Sequence, residues 1–572
     1  MEIQSMNSLR HHAPYSLNSR HGALLDGSLS LLRGKTPLLP LKAPSRGGVR
    51  ASSCSAVGSC SSCGKAYNIS TWSSRSRINF GKSGERRRWA RGVMSPPTTE
   101  HAIGDKGEEE KGLEQSSLEA SSGQSFNWKS NWYAVIPEQD LDRAVPHPFQ
   151  LLGRKMVIWY DRNSAEWKTF ADVCPHRLAP LSEGRIDEKG CLQCCYHGWT
   201  FGGDGACTRI PQAQDEGPEA KAATKTGVPT FLTTVKQGIL FIWPDENGQE
   251  KAQKTNPPIT PEHDLEGFST VATFRDMDYG WDTGMENLLD PSHLPVAHHK
   301  VNAGISVNRD MAKPVLIDMN PLTPKGITAK WGYIGGPRQD LIFDAPSRNT
   351  YLFSLNGQVM GTTTSYVTPT APGRCRVIVE NGRRHWLTKL KVSGPEWWQL
   401  TPRWLDHQKM LNLLDGDESL LHSQERILRE TTNGQVENWS KVFYMPTTAD
   451  RFVGAFRQWI SRFGSNGVTW EDGVDPTLPP LIEKKEDLLD RYNSHTKQCA
   501  ICSKALANFK LARTALFIAA VLLVGGAPLL NDWKQRIPLV VAAGISALIA
   551  WRVQVEWIPM FYYKGYDHAR IP

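Results

Sequence analysis

Two short loops most constrain what this chain can fold into. Cys174-Pro175-His176 is followed, after seventeen intervening residues, by Cys194-Cys195-Tyr196-His197. Each loop offers one thiolate and one imidazole. A pair of such loops can hold two irons in different coordination, Cys174 and Cys194 on one and His176 and His197 on the other, which is a ligand set for a 2Fe-2S cluster. Cys191 and Cys195 fall outside that pairing and read as ordinary thiols. Structural zinc, the rival for Cys/His loops, favours paired cysteines over one Cys and one His per loop.

This is the Rieske ligand arrangement. The Rieske subunits of electron-transport chains carry a further cysteine five residues after the first ligand, where this chain has Ala179. The loop without that bridge resembles the oxygenase branch, which implies a second iron site downstream.

At 572 residues the chain has room for several domains. Its net charge of +8 is unevenly spread: the first 99 residues carry fifteen Lys or Arg against Glu2, Asp26 and Glu85, and the rest carries 51 basic and 55 acidic residues. The basic excess therefore belongs to the leader, and the remainder has no electrostatic footprint for nucleic acid. Eleven cysteines without a regular framework argue against a disulfide-stapled secreted protein. Residues 1–93, rich in Ser, Arg and Gly, have the composition of an organelle transit peptide, and residues 94–125 that of a linker. Cys60 and Cys63 lie inside the leader and read as a chance pair.

Short strands with Gly and Pro turns follow: Gly153 to Tyr160, Glu166 to Val173, and Thr230 to Trp243 broken at Gln237-Gly238. They make residues 126–250 a small all-β domain around the cluster loops. Residues 258–480 mix strands (Ser269 to Phe274, Thr328 to Tyr333, Arg376 to Glu380) with helices (Trp397 to Met410, Glu418 to Arg429, Ala449 to Phe463). The expectation is an α+β catalytic domain, a sheet wrapped by helices.

Within it, Asn287-Leu288-Leu289-Asp290-Pro291-Ser292-His293 runs on to His298. Two imidazoles plus one carboxylate make the facial triad that leaves iron(II) open positions. His293 and His298 are the expected iron ligands, with Asp290 and Asn287 as candidate catalytic residues beside them and His299 out of register. The carboxylate comes from Asp415-Gly416-Asp417, read as the start of a helix, where acids also suit the helix dipole.

Residues 481–510 form a tail holding Cys499-Ala500-Ile501-Cys502, a candidate redox-regulatory dithiol open to thioredoxin or simply a pair of thiols. In residues 511–572, the apolar runs Thr514 to Leu530 and Ile537 to Ala550 are separated by polar residues. Trp533, Trp551 and Trp557 stand at interfacial positions, so a two-helix membrane hairpin is expected.

Taken together, these motifs resemble the plastid-envelope Rieske-type non-haem iron monooxygenases over nearly the whole chain after the linker. Pro148 to Arg154, Leu178 to Arg185, Cys207 to Ala213, Asp290 to His293 and Ala449 to Phe452 look most like the branch that opens the pheophorbide a macrocycle in chlorophyll breakdown. The resemblance implies a helix-grip-like catalytic fold, a 2Fe-2S cluster and a mononuclear Fe(II). Asp417, with Asp415 as alternative, is the implied third ligand. Asp290 is implied to bridge a cluster histidine, His176 or His197, to an iron histidine across subunits of a homotrimer. Reduced ferredoxin, O2 and a tetrapyrrole are the implied partners, at the chloroplast inner envelope with the catalytic part facing the stroma. A sister oxygenase acting on protochlorophyllide or chlorophyllide is the alternative. A redox-sensing component of the import machinery is the alternative of another class.

Overall fold

The computed structural model describes residues 126–214, 217–223, 225–301, 308–384 and 401–570. The expected transit peptide, the linker and the Cys60/Cys63 pair lie outside the described residues.

The first sheet has the order β1-β10-β9-β4-β3-β2, built from β1 (Tyr133–Pro137), β2 (His147–Leu151), β3 (Arg154–Asp161), β4 (Glu166–Ala171), β9 (Thr230–Lys236) and β10 (Ile239–Trp243). β1 and β10 are buried at every position, as their unbroken apolar sequences require, because both faces of the sheet are covered there. The expected break falls between β9 and β10. Gln237 (φ 49°) and Gly238 (φ 74°) both take left-handed conformations, the two-residue turn that matches the twist of a hairpin. A second small sheet, β5 (Arg185–Ile186), β6 (Leu192–Gln193), β7 (Thr200–Phe201) and β8 (Cys207–Arg209), carries the second cluster loop between β6 and β7.

The catalytic part is a seven-stranded antiparallel sheet. Its strands β12 (Val315–Met319), β13 (Gly326–Tyr333), β14 (Gln339–Asp344), β15 (Arg348–Leu355), β16 (Gln358–Ala371) and β17 (Arg374–Arg384) run as consecutive neighbours, and β11 (Phe268–Met277) closes the edge beside β17. The first sheet is tied to it through backbone bonds from Leu152 to Pro369 (3.0 Å) and from Gly153 to Thr370 (2.8 Å). Helices α1 (Trp281–Leu288), α2 (Leu294–Ala297), α3 (Arg403–Thr431) and α4 (Arg451–Arg462) complete the α+β layer.

One expectation is corrected here. Asp415-Gly416-Asp417 is not a helix start but the middle of α3, a continuous helix of 29 residues. Glycine inside a helix costs about 1 kcal/mol relative to alanine, which is why Gly416 reads as a break. Here a Cβ would lie 2.9 Å from the Tyr566 phenol and 3.1 Å from His298 Nδ1, so close approach of α3 to both residues requires glycine. The dipole account of these acids therefore fails.

α5 (Ala500–Gly526) and α6 (Trp533–Arg552) pack against each other as a hairpin. Both are long and apolar enough to cross a membrane, and they leave Phe517, Leu522, Ile545 and Leu548 exposed. The apolar hairpin stops short of residue 572, the expected end of the anchor, because the chain beyond α6 returns to the catalytic part. There Phe561 is buried, and Tyr562 accepts the Arg491 N-H at 2.8 Å.

Candidate metal centres

The two cluster loops share one backbone design. Cys174 N-H donates to Ala179 C=O (2.8 Å) and Leu178 N-H to Cys174 C=O (2.9 Å); Cys194 N-H donates to Trp199 C=O (2.8 Å) and Gly198 N-H to Cys194 C=O (3.1 Å). In each loop the residue four after the cysteine is left-handed, Leu178 at φ 59° and Gly198 at φ 74°. This repeated turn brings both sulfurs inside while lifting the imidazoles, whose ring centres are 4.5 Å apart. The His176 ring is fixed by stacking on Trp199 at 4.5 Å. Burial, with Cys194 adding to it, pushes the Cys174 thiol up to about 11, while the His176 and Arg177 N-H groups point at its sulfur. Two buried sulfurs facing one another become thiolates when metal supplies the opposing charge, so the site fits a cluster held by Cys174, Cys194, His176 and His197. Cys195 is exposed and Cys191 is held by Asn163 at 3.9 Å.

The second centre joins three elements. His293 and His298 flank α2, and Asp417 reaches them from α3, with the ligand atoms of all three within 4.8 Å of one another. His293 Nδ1 bonds the Asp290 carbonyl at 2.5 Å, which turns Nε2 toward Asp417 Oδ1, 3.9 Å away. His298 is fully buried. Its Nε2 is 3.2 Å from the same carboxylate oxygen, and its Nδ1 has no hydrogen-bond partner among the described residues. Burial works to raise the Asp417 carboxyl, but His298, His293 and the Asn287 side chain hold it below the usual carboxylate range. Two imidazole lone pairs and a carboxylate facing one buried point fit a divalent iron.

Asp415 does not join them. It is buried between Arg275 (2.5 Å) and Arg491 (Nε at 3.0 Å), and those arginines occupy its lone pairs. Asp290 is locked at Oδ1 by the Ser292 N-H (2.7 Å) and hydroxyl (2.6 Å). Its Oδ2 lies 3.8 Å from His293 Nδ1, with the side chain 26% exposed. α1, which ends beside Asp290, is pinned by Asn349 and Tyr351 donating to Leu288 C=O at 2.7 and 2.9 Å. Arg457 grips the same helix through Asp282 (3.0 Å) and Glu286.

Sequence reasoning missed two residues at this centre. Tyr566 donates to Ala297 C=O at 2.8 Å, and its hydroxyl is pushed up to about 12 by burial and then by Asp417. His568 sits near enough to feel both Asp417 and His298. A polar tail after two apolar runs carries no sequence signal that it folds back. A cleft of about 870 Å³, lined by His147, Phe149, Arg376 and Lys497 among others, does not include the triad.

Residues 131–249 match the Rieske [2Fe-2S] domain family and residues 343–435 the pheophorbide a oxygenase family. The chain is 42% identical over 472 residues to pheophorbide a oxygenase of Oryza sativa subsp. japonica, covering 79% of this chain and 87% of that protein. This chain belongs to the pheophorbide a oxygenase family. The Arabidopsis thaliana pheophorbide a oxygenase is 40% identical over 500 residues, covering 83% of this chain and 90% of its own length. Protochlorophyllide-dependent translocon component 52 of Arabidopsis thaliana is 32% identical over 493 residues, 78% of this chain and 86% of that protein. Membership makes the chain a Rieske non-haem iron oxygenase, with a 2Fe-2S cluster and a mononuclear iron as its cofactors.

Proposed function

We propose that this protein opens the macrocycle of pheophorbide a, using O2 and single electrons from reduced ferredoxin, in the chloroplast. The observation that carries this reading is the identity to two pheophorbide a oxygenases over most of both chains, together with a triad that converges at one buried point.

When bound, the cluster supplies electrons one at a time and the mononuclear iron supplies O2 activation. The residues of the chain do the rest. The Asp290 carbonyl fixes the His293 tautomer, so that Nε2 is the ligand. Asn287 holds the Asp417 carboxylate in place. Tyr566 braces the end of α2 beside the site through its bond to the Ala297 carbonyl. The exposed edge of the Asp290 carboxylate is the docking point for a cluster histidine, His176 or His197, of a neighbouring subunit in a homotrimer.

The hairpin α5-α6 is read as an anchor in the inner envelope. Both of its ends return to the catalytic part, which supports a single side of the membrane for that part; the side proposed is the stromal one. Anchoring suits an amphipathic pigment substrate.

The test is anaerobic purification with ferredoxin and ferredoxin reductase, then addition of O2 and a panel of pigments while the visible macrocycle bands are followed. Loss of the pheophorbide a bands is expected. Oxidation of protochlorophyllide or chlorophyllide alone would move the assignment to a sister oxygenase. Oxidation of no pigment would favour a redox-sensing import component.

A further inference from the structure

Outside the two iron centres, four buried side chains converge that neither centre uses. His407 comes from α3, His495 from the turn before α5, and Cys499 and Cys502 from the start of α5, with their ligand atoms within 4.8 Å of one another. His407 Nδ1 is 3.3 Å from His495 Nε2, 3.6 Å from Cys499 Sγ and 3.5 Å from Cys502 Sγ. His495 Nε2 is 3.4 Å from Cys502 Sγ. His407, His495, Cys499 and Cys502 are all completely buried.

The outer hydrogen bonds decide which atoms face inward. His495 Nδ1 bonds the Phe274 carbonyl at 2.7 Å, so its proton is spent there and Nε2 presents a lone pair to the cluster. His407 turns Nε2 toward Asp140 at 3.9 Å, which leaves Nδ1 facing the sulfurs. Asp140 is itself fully buried, and neither carboxylate oxygen has another hydrogen-bond partner among the described residues. A carboxylate behind an imidazole behind a metal is the usual outer support of a metal-bound histidine. The Cys502 N-H points at Cys499 Sγ at 3.4 Å, which fixes where that sulfur sits. Two imidazole nitrogens and two sulfurs converge on one dry point, an arrangement that a cation bridges once the thiol protons have left.

We propose that His407, His495, Cys499 and Cys502 bind one zinc ion in a closed tetrahedral site, with Asp140 as outer-shell partner of His407. The donor set is the Cys2His2 composition of structural zinc sites, with no position left open for chemistry. Binding displaces one proton from each thiol, so zinc with two thiolates and two neutral imidazoles carries no net charge. The site clips three distant stretches together: the first domain through Asp140, α3 ten residues before Asp417, and the base of the hairpin.

The test uses the full-length protein purified without chelators. One zinc per chain is expected beside the irons, with an X-ray absorption edge fitted by two sulfurs at about 2.3 Å and two nitrogens at about 2.0 Å. A Cys499→Ala/Cys502→Ala variant should fall below about a tenth of a zinc per chain while its iron-to-sulfide ratio stays unchanged. The wild-type measurements decide the matter whether or not that variant folds. Absence of zinc, iron in its place, a shell without sulfur, or a Cys499–Cys502 disulfide in the purified protein would overturn the proposal.

Discussion

His293 Nδ1 is 2.5 Å from the carbonyl oxygen of Asp290, so the residue whose carboxylate faces outward also sets the tautomer of a proposed iron ligand through its backbone. This one contact links the outside of the catalytic domain to its buried centre.

Replacing His298 with alanine removes a fully buried proposed ligand whose ring nitrogens have no hydrogen-bond partner among the described residues. The variant is expected to keep the cluster's visible spectrum, lose the mononuclear iron and retain less than about 1% of activity. Absorbance, iron analysis and pigment turnover on one preparation check this, and full turnover would remove His298 from the centre.

Asp290→Asn leaves the backbone bond to His293 intact and removes only the charge. Both metal centres should stay loaded while kcat falls on the order of 10- to 100-fold, the range for an outer-shell carboxylate. In single-turnover stopped flow, cluster reduction should be normal and cluster reoxidation slow. Unchanged reoxidation would confine Asp290 to a structural role.

Gly416→Ala offers a test by sign. In an unobstructed helix interior the change stabilises by about 1 kcal/mol. Here the new Cβ meets Tyr566 at 2.9 Å and His298 at 3.1 Å, so destabilisation of about 1–3 kcal/mol is expected, with partial loss of the mononuclear iron. Thermal denaturation and iron content report both effects, and a raised midpoint would show that α3 stands further from the tail.

Burial and then the neighbouring Asp282 push Glu425 from 4.5 up to about 7. A raised carboxyl means that the folded chain holds a proton the unfolded chain has released. Its contribution is therefore complete below about pH 4.5 and is lost as pH rises through about 7, amounting to about 1–3 kcal/mol. The thermal midpoint of the parent should fall between pH 5 and pH 8 more steeply than that of Glu425→Gln, and parallel profiles would count against a raised Glu425.

Much of the site is written locally. The cluster loops are legible because each pairs a cysteine and a histidine within four residues, and His293 and His298 sit on either side of a single turn of helix. The contributions that escape a reading of the sequence come from chain-distant packing. Asp415-Gly416-Asp417 reads as a helix start because nothing local shows the phenol of Tyr566, 150 residues later, that excludes a side chain at Gly416. Asp417 ranks ahead of Asp415 by resemblance alone, and the physical reason that Asp415 stays out of the centre, its pairing with Arg275 and Arg491, is visible only in the fold. Cys499 and Cys502 look like a dithiol until His407, 92 residues earlier, is seen beside them.

The central claim is two separate iron centres on one polypeptide, and the ratio of iron to acid-labile sulfide in the purified protein tests it most directly. Three irons for every two sulfides are expected, falling to two and two in His298→Ala. A parent protein with only two irons for two sulfides would contradict the account.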